Sequence, residues 1–347
     1  MDISILNDKV VLITGGTGSF GKKFTQIVLE SSSPKKLIVF SRDELKQFEM
    51  AQRFSPHQHP CLDYVLGDVR DLDRLSRVLR GVDYVIHAAA LKQVPAAERN
   101  PEEYIKTNVL GAMNVIHAAL ENKVRRVVAL STDKACNPIN LYGATKLCAD
   151  KLFVATGMSE PGGHTAFAVV RYGNVLGSRG SVIPFFKERV AAGILPITDE
   201  RMTRFWITLD QAVYFVLESL NRMKGGEIFV PRIPSMKITD LAAAIGPQCR
   251  QDIVGIRAGE KLHETLISED EARNAVAFTD CFIVQPNAHY RKSLIKGKGK
   301  LCGDDFRYSS GDNDRWLSVG ELKKMVDQIA DDYAIEKSRW AMNDIPG

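Results

Sequence analysis

What this chain has little of narrows it first. No C-x-x-C pair occurs, and the six cysteines stand singly at 61, 136, 148, 249, 281 and 302. Such scatter argues against a disulfide framework or a thiolate zinc site and fits reduced thiols. No run approaches the roughly 18 consecutive apolar residues that a transmembrane helix requires. The opening MDISILNDKVVLITGG lacks a charged segment leading into an apolar one, so no signal peptide is expected. Long basic blocks are missing from the first 285 residues and net charge is +4, which suits anionic small molecules better than nucleic acid. The one basic stretch, Arg291–Lys300, is expected to be a solvated loop. His57-Gln58-His59 supplies two imidazoles without a neighbouring acidic or cysteine partner, so no metal is expected. These absences leave a cytoplasmic protein with no membrane or nucleic-acid partner.

What is present is an α/β pattern. Hydrophobic residues make up 45% and charged residues 25%, an ordinary globular balance. Short apolar runs at Val10–Thr14, Leu37–Phe40, Tyr64–Leu66, Tyr84–His87 and Arg126–Leu130 predict buried parallel strands. Helical segments at Gly21–Glu30, Glu44–Phe54, Leu72–Leu79 and Pro101–Asn122 alternate with them. That order predicts a doubly wound parallel sheet with helices on both faces, to which Ala166–Val170 and Glu227–Val230 can add strands. Further on, Ser178–Gly193 leads into a helix, Ile197–Ile207 is loop-like, Leu209–Arg222 is helical, and Ser235–Leu241 passes from strand to helix. The expected division is a dinucleotide-binding domain over 1–172, a smaller interleaved substrate domain over 173–290, and a C-terminal extension over 291–347.

The first strand runs into Gly15-Gly16-Thr17-Gly18-Ser19-Phe20-Gly21, a G-x-x-G-x-x-G turn opening a helix. Glycines there let the backbone approach a pyrophosphate, whose charge sits at the positive helix end. The second strand ends Ser41-Arg42-Asp43, with Lys46 a helical turn beyond. Arg42 and Lys46 can neutralise a 2′-phosphate, which favours NADP. Asp43 keeps an alternative open, since it can serve an NAD ribose or cap the helix. Asp68 and Val69 end the third strand, where Asp68 can bond adenine. Ala88 and Ala89 end the fourth and are small enough for cofactor to lie against them.

The chemistry concentrates in Ser131-Thr132-Asp133-Lys134 and, after it, Tyr142-x-x-x-Lys146. Tyr142 and Lys146 are four apart on a helix and share a face, so the ammonium can favour the phenolate. Thr132 can hydrogen-bond the same substrate oxygen. Asp133 and Lys134 add an acid and a second base that alcohol oxidation does not need. Oxidising a sugar C4 hydroxyl to a ketone makes the C5 proton acidic. Lys134 can then remove it, and Asp133 can protonate a departing C6 hydroxyl. Arg171, Arg179, Arg204 and Arg257 are possible bidentate partners for two phosphates, about half of them expected to touch ligand.

The glycine turn, Tyr142-x-x-x-Lys146 and the strand order together resemble the extended short-chain dehydrogenases/reductases. More narrowly, S-T-D-K-A-x-N-P-x-N-L-Y-G-A-T-K over Ser131–Lys146 resembles the inverting UDP-N-acetylglucosamine 4,6-dehydratases that begin pseudaminic acid biosynthesis. Phe40–Gln47, Arg171–Pro184, Arg201–Thr208 and Arg257–Glu264 carry the same resemblance, which spans about residues 5 to 285. It implies that Tyr142 deprotonates the C4 hydroxyl as hydride passes to NADP, that Lys134 takes the C5 proton, and that Asp133 acts at C6. It further implies contacts to substrate from Lys92, Asn174, Arg179, Thr198 and Arg204, with Arg257 and Glu260 at the uridine end, and a homo-oligomer. A 4-epimerase shares the fold, Tyr and Lys but needs neither Asp133 nor Lys134. A retaining dehydratase resembles T-D-E, with Glu at the place of Lys134. A cofactor-sensing module without turnover is the non-enzymatic alternative.

Overall fold

The computed structural model describes residues 3–159, 163–178, 182–285 and 299–328. Its first half alternates strand and helix: β1 Val10–Thr14, α1 Ser19–Ser31, β2 Lys36–Ser41, α2 Glu44–Arg53, β3 Leu62–Leu66, α3 Leu72–Val78, β4 Tyr84–His87. Then come α4 Val94–Arg99, α5 Pro101–Tyr104, α6 Gly111–Glu121, β5 Arg126–Thr132, α7 Leu141–Ser159 and β6 Ala166–Tyr172. The second half holds β7 Asn174–Val175, α8 Val182–Val190, β8 Ile194–Ile197, β9 Thr203–Ile207, α9 Leu209–Arg222, β10 Ile228–Pro231, β11 Ser235–Lys237 and α10 Ile238–Ile245. Short strands β12 Arg250–Ile253, β13 Thr265–Ile267, β14 Ala275–Ala277, β15 Cys281–Val284, β16 Lys300–Leu301 and β17 Tyr308–Ser309 complete it.

Ten strands form one sheet in the order β16-β14-β15-β10-β6-β5-β4-β1-β2-β3. From β10 to β3 every pairing is parallel, while β15, β14 and β16 are added antiparallel at the other edge. Strands such as Val11-Leu12-Ile13 and Val127-Val128 are buried on both faces, as helices on either side of a parallel sheet require. The expected doubly wound sheet is therefore present. The chain order reverses between β1 and β4, and the crevice for a ligand opens at that point of the sheet's C-terminal edge.

Two sequence expectations fail locally. Ile197–Ile207 is not a loop: β9 lies between β11 and β7, and β8 pairs with β12. Ile197, Met202 and Trp206 belong to a second core with Leu195, Met236 and Leu241, while Phe205 and Ile207 face the main one, a division that the polar turn between the strands disguises. The second core also takes Leu317, Leu322 and Val326, so chain beyond residue 291 packs with the segment expected as the interleaved smaller domain. Pro101–Asn122, expected as one helix, is α5 and α6 joined by a π-turn over Ile105–Leu110. The Arg291–Lys300 stretch lies outside the described residues except for its last two positions.

Arg171, read as a possible phosphate partner, is instead wholly buried at the end of β6. Its guanidinium reaches Asp150 of α7 at 3.2 Å, Glu271 at 2.9 Å and the Leu266 carbonyl at 3.0 Å. Ser131 Oγ donates to Asp150 at 2.8 Å, which ties β5 into the same cluster. Burial would raise the Glu271 carboxyl, but the guanidinium outweighs it and holds that group below its ordinary value. Removing one member leaves the others charged and unpaired in a dry interior. Arg171→Met is accordingly expected to cost about 3–5 kcal/mol, measured as the loss of unfolding free energy in urea.

Candidate active site

A cleft of about 1270 Å³ runs along the C-terminal edge of the sheet, between the main core and the second one. The expected site residues that fall among the described ones line it together. They are Gly15, Thr17, Gly18, Ser19, Phe20, Gly21, Ser41, Arg42, Lys46, Asp68, Val69, Ala88, Ala89, Lys92, Thr132, Asp133, Lys134, Tyr142, Lys146, Asn174, Thr198, Arg204, Arg257 and Glu260. Arg179 lies outside the described residues.

At one end the glycine turn leads from β1 into α1. Gly15 has φ +64°, and a Cβ there would stand 2.8 Å from the Ala89 backbone. Only glycine lets the two strand ends approach this closely. Thr14 Oγ1 accepts from the Ala88 and Ala89 amides at 3.1 and 3.2 Å, which fixes the small-residue floor beside the turn. The cradle and the helix N-terminus fit a pyrophosphate. Asp43, left open above between ribose and cap, caps α2 by accepting from the Lys46 amide at 3.0 Å and also pairs with Lys46 Nζ. Ser41 Oγ is held by Gln47 Nε2 at 3.0 Å. Arg42 is half-exposed at the cleft rim, 3.8 Å from Asp68. The Asp68 carboxylate is itself engaged by Arg70 at 2.8 Å.

At the centre, β5 delivers Thr132 into a single 3-10 turn over Asp133–Ala135. Thr132 Oγ1 donates to Asp133 Oδ1 at 2.9 Å, and Lys134 Nζ donates to the same oxygen at 3.0 Å. Asp133 is 1% exposed, and its Oδ2 is buried without a hydrogen-bond partner. Burial, with Glu264 nearby, raises the Asp133 carboxyl in spite of Lys134, so it is suited to carry a proton. Lys134 also meets Glu264 Oε1 at 3.1 Å, and the two carboxylates outweigh burial and raise its ammonium. The Tyr142 phenol is pushed up to about 12 by burial; the chief influence lowering it is Lys134, followed by its bond to Thr132.

Lys146 was expected to be the cation acting on that phenol. Its Nζ instead donates to the Leu130 carbonyl at 2.8 Å, and burial lowers its ammonium although Asp150 opposes. His87, behind it on β4, is held neutral by burial and by Lys146, pushed down to about 3, with Nδ1 2.8 Å from Thr14 Oγ1.

The far wall comes from the second half. Asn174 Oδ1 is buried and unpartnered, and Arg257 and Glu260 lie 4.0 Å apart. Lys92, between β4 and α4, lines the cleft from the first half, and burial lowers its ammonium. Arg204 Nη1 donates to the Thr203 and Leu262 carbonyls at 2.7 and 3.2 Å, with Nε 3.9 Å from Glu264. Of the four arginines considered above, Arg204 and Arg257 reach the cleft and Arg171 does not. Glu264, 2% exposed and touching Lys134, had been given no role. It closes the segment Arg257–Glu264, and no spacing signal links that loop to a turn 130 residues earlier.

A parallel sheet ordered β3-β2-β1-β4-β5-β6-β10, a glycine turn after β1, and Tyr142 with Lys146 on the helix after β5 define an extended short-chain dehydrogenase/reductase. The chain belongs to the polysaccharide biosynthesis protein family, whose model matches residues 11–286. It is 54% identical over 331 residues to the UDP-N-acetylglucosamine 4,6-dehydratase (inverting) of Campylobacter jejuni subsp. jejuni serotype O:2, covering 93% of this chain and 98% of that one. It is 40% identical over 331 residues to the UDP-glucose 4-epimerase of Rickettsia canadensis, covering 92% and 95%. The solved structure of Pen from Bacillus thuringiensis superposes with a TM-score of 0.83 at 37% identity, covering 93% and 99%.

The Tyr142-to-Lys134 spacing is set by backbone contact. A Cβ on Gly143 would lie 2.2 Å from the Lys134 carbonyl oxygen. Gly143→Ala must push α7 off the catalytic turn. It is expected to destabilise by about 1–3 kcal/mol and to lower turnover far more than stability, as read by thermal melting beside a rate assay.

Proposed function

We propose that this chain dehydrates UDP-N-acetylglucosamine between C4 and C6 with inversion at C5, giving UDP-2-acetamido-2,6-dideoxy-β-L-arabino-hex-4-ulose with NADP as cofactor. The observation that carries this is the Asp133–Lys134 pair, with its free Asp133 oxygen, in the same cleft as Tyr142. The 54% identity to an inverting dehydratase over nearly the whole chain supports it. In the resembling enzymes this product opens pseudaminic acid biosynthesis, and that place and a homo-oligomeric assembly belong to the same proposal.

NADP supplies, when bound, a hydride acceptor for C4 and a hydride source for C6. Gly15, Gly18 and the α1 N-terminus hold its pyrophosphate, and Arg42 with Lys46 its 2′-phosphate, since Asp43 is committed to capping α2. Tyr142 acts in its phenolate form, the form that the Lys134 ammonium favours, and takes the proton of the C4 hydroxyl while Thr132 bonds the same oxygen. Lys134 rests as an ammonium and first passes a proton to Asp133 across their 3.0 Å hydrogen bond. The free amine then takes the C5 proton, and Asp133 protonates the C6 hydroxyl, so that water leaves and a C5–C6 double bond forms. The pair is thereby returned to its starting ammonium and carboxylate. A solvent-derived proton delivered to C5 on the opposite face, once C6 has gained its hydride, gives the L-arabino product. Asn174, Arg179, Thr198, Arg204 and Lys92 are assigned to the sugar and diphosphate, and Arg257 with Glu260 to the uridine.

The 40% identity to a UDP-glucose 4-epimerase favours a second outcome, return of hydride to C4. Asp133 and Lys134 would then have no work. A proton NMR time course with UDP-N-acetylglucosamine in deuterium oxide separates the two. A new C6 methyl with deuterium at C5 and inverted configuration is expected. UDP-N-acetylgalactosamine without a methyl signal would mean epimerisation. Lys134→Ala is expected to bind NADP normally while losing C5 exchange by at least about a hundredfold. Arg42→Ala is expected to weaken NADP by about tenfold or more and NAD hardly at all, measured by titration calorimetry.

A further inference from the structure

Glu264 brings a second carboxylate to Lys134 from a loop far away in the chain. It is 2% exposed, and its Oε1 stands 3.1 Å from Lys134 Nζ. Oε2 has no hydrogen-bond partner, and Lys261 Nζ remains 3.9 Å from it. The residue is built in place: its amide donates to Ser310 Oγ at 2.9 Å and its carbonyl accepts from the Ser310 amide at 2.8 Å. Lys134 thus sits between two buried acids, with Asp133 on the other side at 3.0 Å. An ion pair would be served by one of them.

We infer that Glu264 is a positioning residue for the C5 step, fixing the Lys134 amine beside Asp133 and stabilising the ammonium that forms when the C5 proton arrives. This rests on the dehydratase function proposed above. Once Lys134 has passed its own proton to Asp133, the amine must regain one from a carbon of slight acidity, and that uptake gains from an environment that favours the ammonium. A buried carboxylate 3.1 Å from Nζ supplies that preference. The proton count is unchanged by Glu264: one proton moves from C5 to Nζ, and the carboxylate only accepts a hydrogen bond. Burial would raise the Glu264 carboxyl, yet Lys134, Arg204 and Lys261 hold it low, so it stays ionised throughout. The groups that face this cluster are Lys134 and Asp133 from the turn after β5, Arg204 from β9, Lys261 from the same loop, and Tyr142 from α7 by way of Lys134.

The test compares wild type, Glu264→Gln and Glu264→Asp, each loaded with NADP, by C5 deuterium uptake from UDP-N-acetylglucosamine across pH. Glutamine keeps the acceptor oxygen and removes the charge. Exchange is expected to fall more than tenfold with KM within about threefold of wild type. The acidic limb is expected to move down by about one pH unit, because a base that loses its favourable partner releases its proton earlier. Glu264→Asp should return the limb toward its wild-type position. A folded Glu264→Gln whose limb stays in place would overturn the inference, reducing Glu264 to a structural role. If wild type itself gives no exchange and no C6 methyl, the dehydratase proposal fails separately. The 13Cε titration of Lys134, assigned by its loss in Lys134→Met, then decides the electrostatic pairing alone: a midpoint lowered in Glu264→Gln sustains it and an unmoved one ends it.

Discussion

The whole arrangement hangs on a fully buried guanidinium. Arg171 joins β6 to α7 through Asp150, and both to β13 through the Leu266 carbonyl and to the segment after it through Glu271. Such clusters seldom add net stability, because desolvating the charges offsets most of their attraction. What they add is orientation, since each partner has a single geometry in which its charge is answered. Here that geometry fixes the helix carrying Tyr142 and Lys146 against the strand that ends at Thr132. Asp150 also faces Lys146, so the cluster continues directly into the catalytic helix.

The two cores explain why the active site is dry on one side and open on the other. The main core holds the parallel sheet and ends at the glycine turn and the Thr132 turn. The second core carries Asn174 and Trp206 to the opposite wall. Glu264 stands between, anchored by Ser310. The result is a line of alternating charge, Asp133, Lys134, Glu264, Arg204, most of it out of water. In that setting each group sets the proton affinity of the next, and no member can be understood from its own type alone.

Much of this was legible in the sequence because it depends on local patterns. Parallel strands buried on both faces are continuous apolar runs, and the glycine turn and the four-residue Tyr–Lys interval are short-range signals. The segments misread were those whose meaning lies in distant partners. Arg171 looks like a phosphate ligand until Asp150 and Glu271 are brought to it from 21 positions before and 100 after. Thr203–Ile207 looks like loop until β11 pairs with it on one side and β7 on the other. Glu264 carries no motif at all, and its proximity to Lys134 is a product of tertiary folding. Lys146 lines the cleft, but its hydrogen bond goes to a backbone carbonyl that no pattern marks.

The π-turn over Ile105–Leu110 has a consequence of another kind. Asn108 at its centre bonds the amide and carbonyl of Leu91 at 2.9 Å each and Thr145 of α7 at 3.1 Å. One side chain therefore keys the floor beside the glycine turn to the catalytic helix. Wide turns of this type arise when a helix takes in one surplus residue. Deleting a residue there would restore ordinary winding with the flanking turns in register, but the wide turn that presents Asn108 would be gone. The helix would survive as a helix, but its two neighbours would lose their common bolt. The surplus residue thus gives up regular winding for a side chain that holds the Leu91 segment and α7 at a fixed distance from each other.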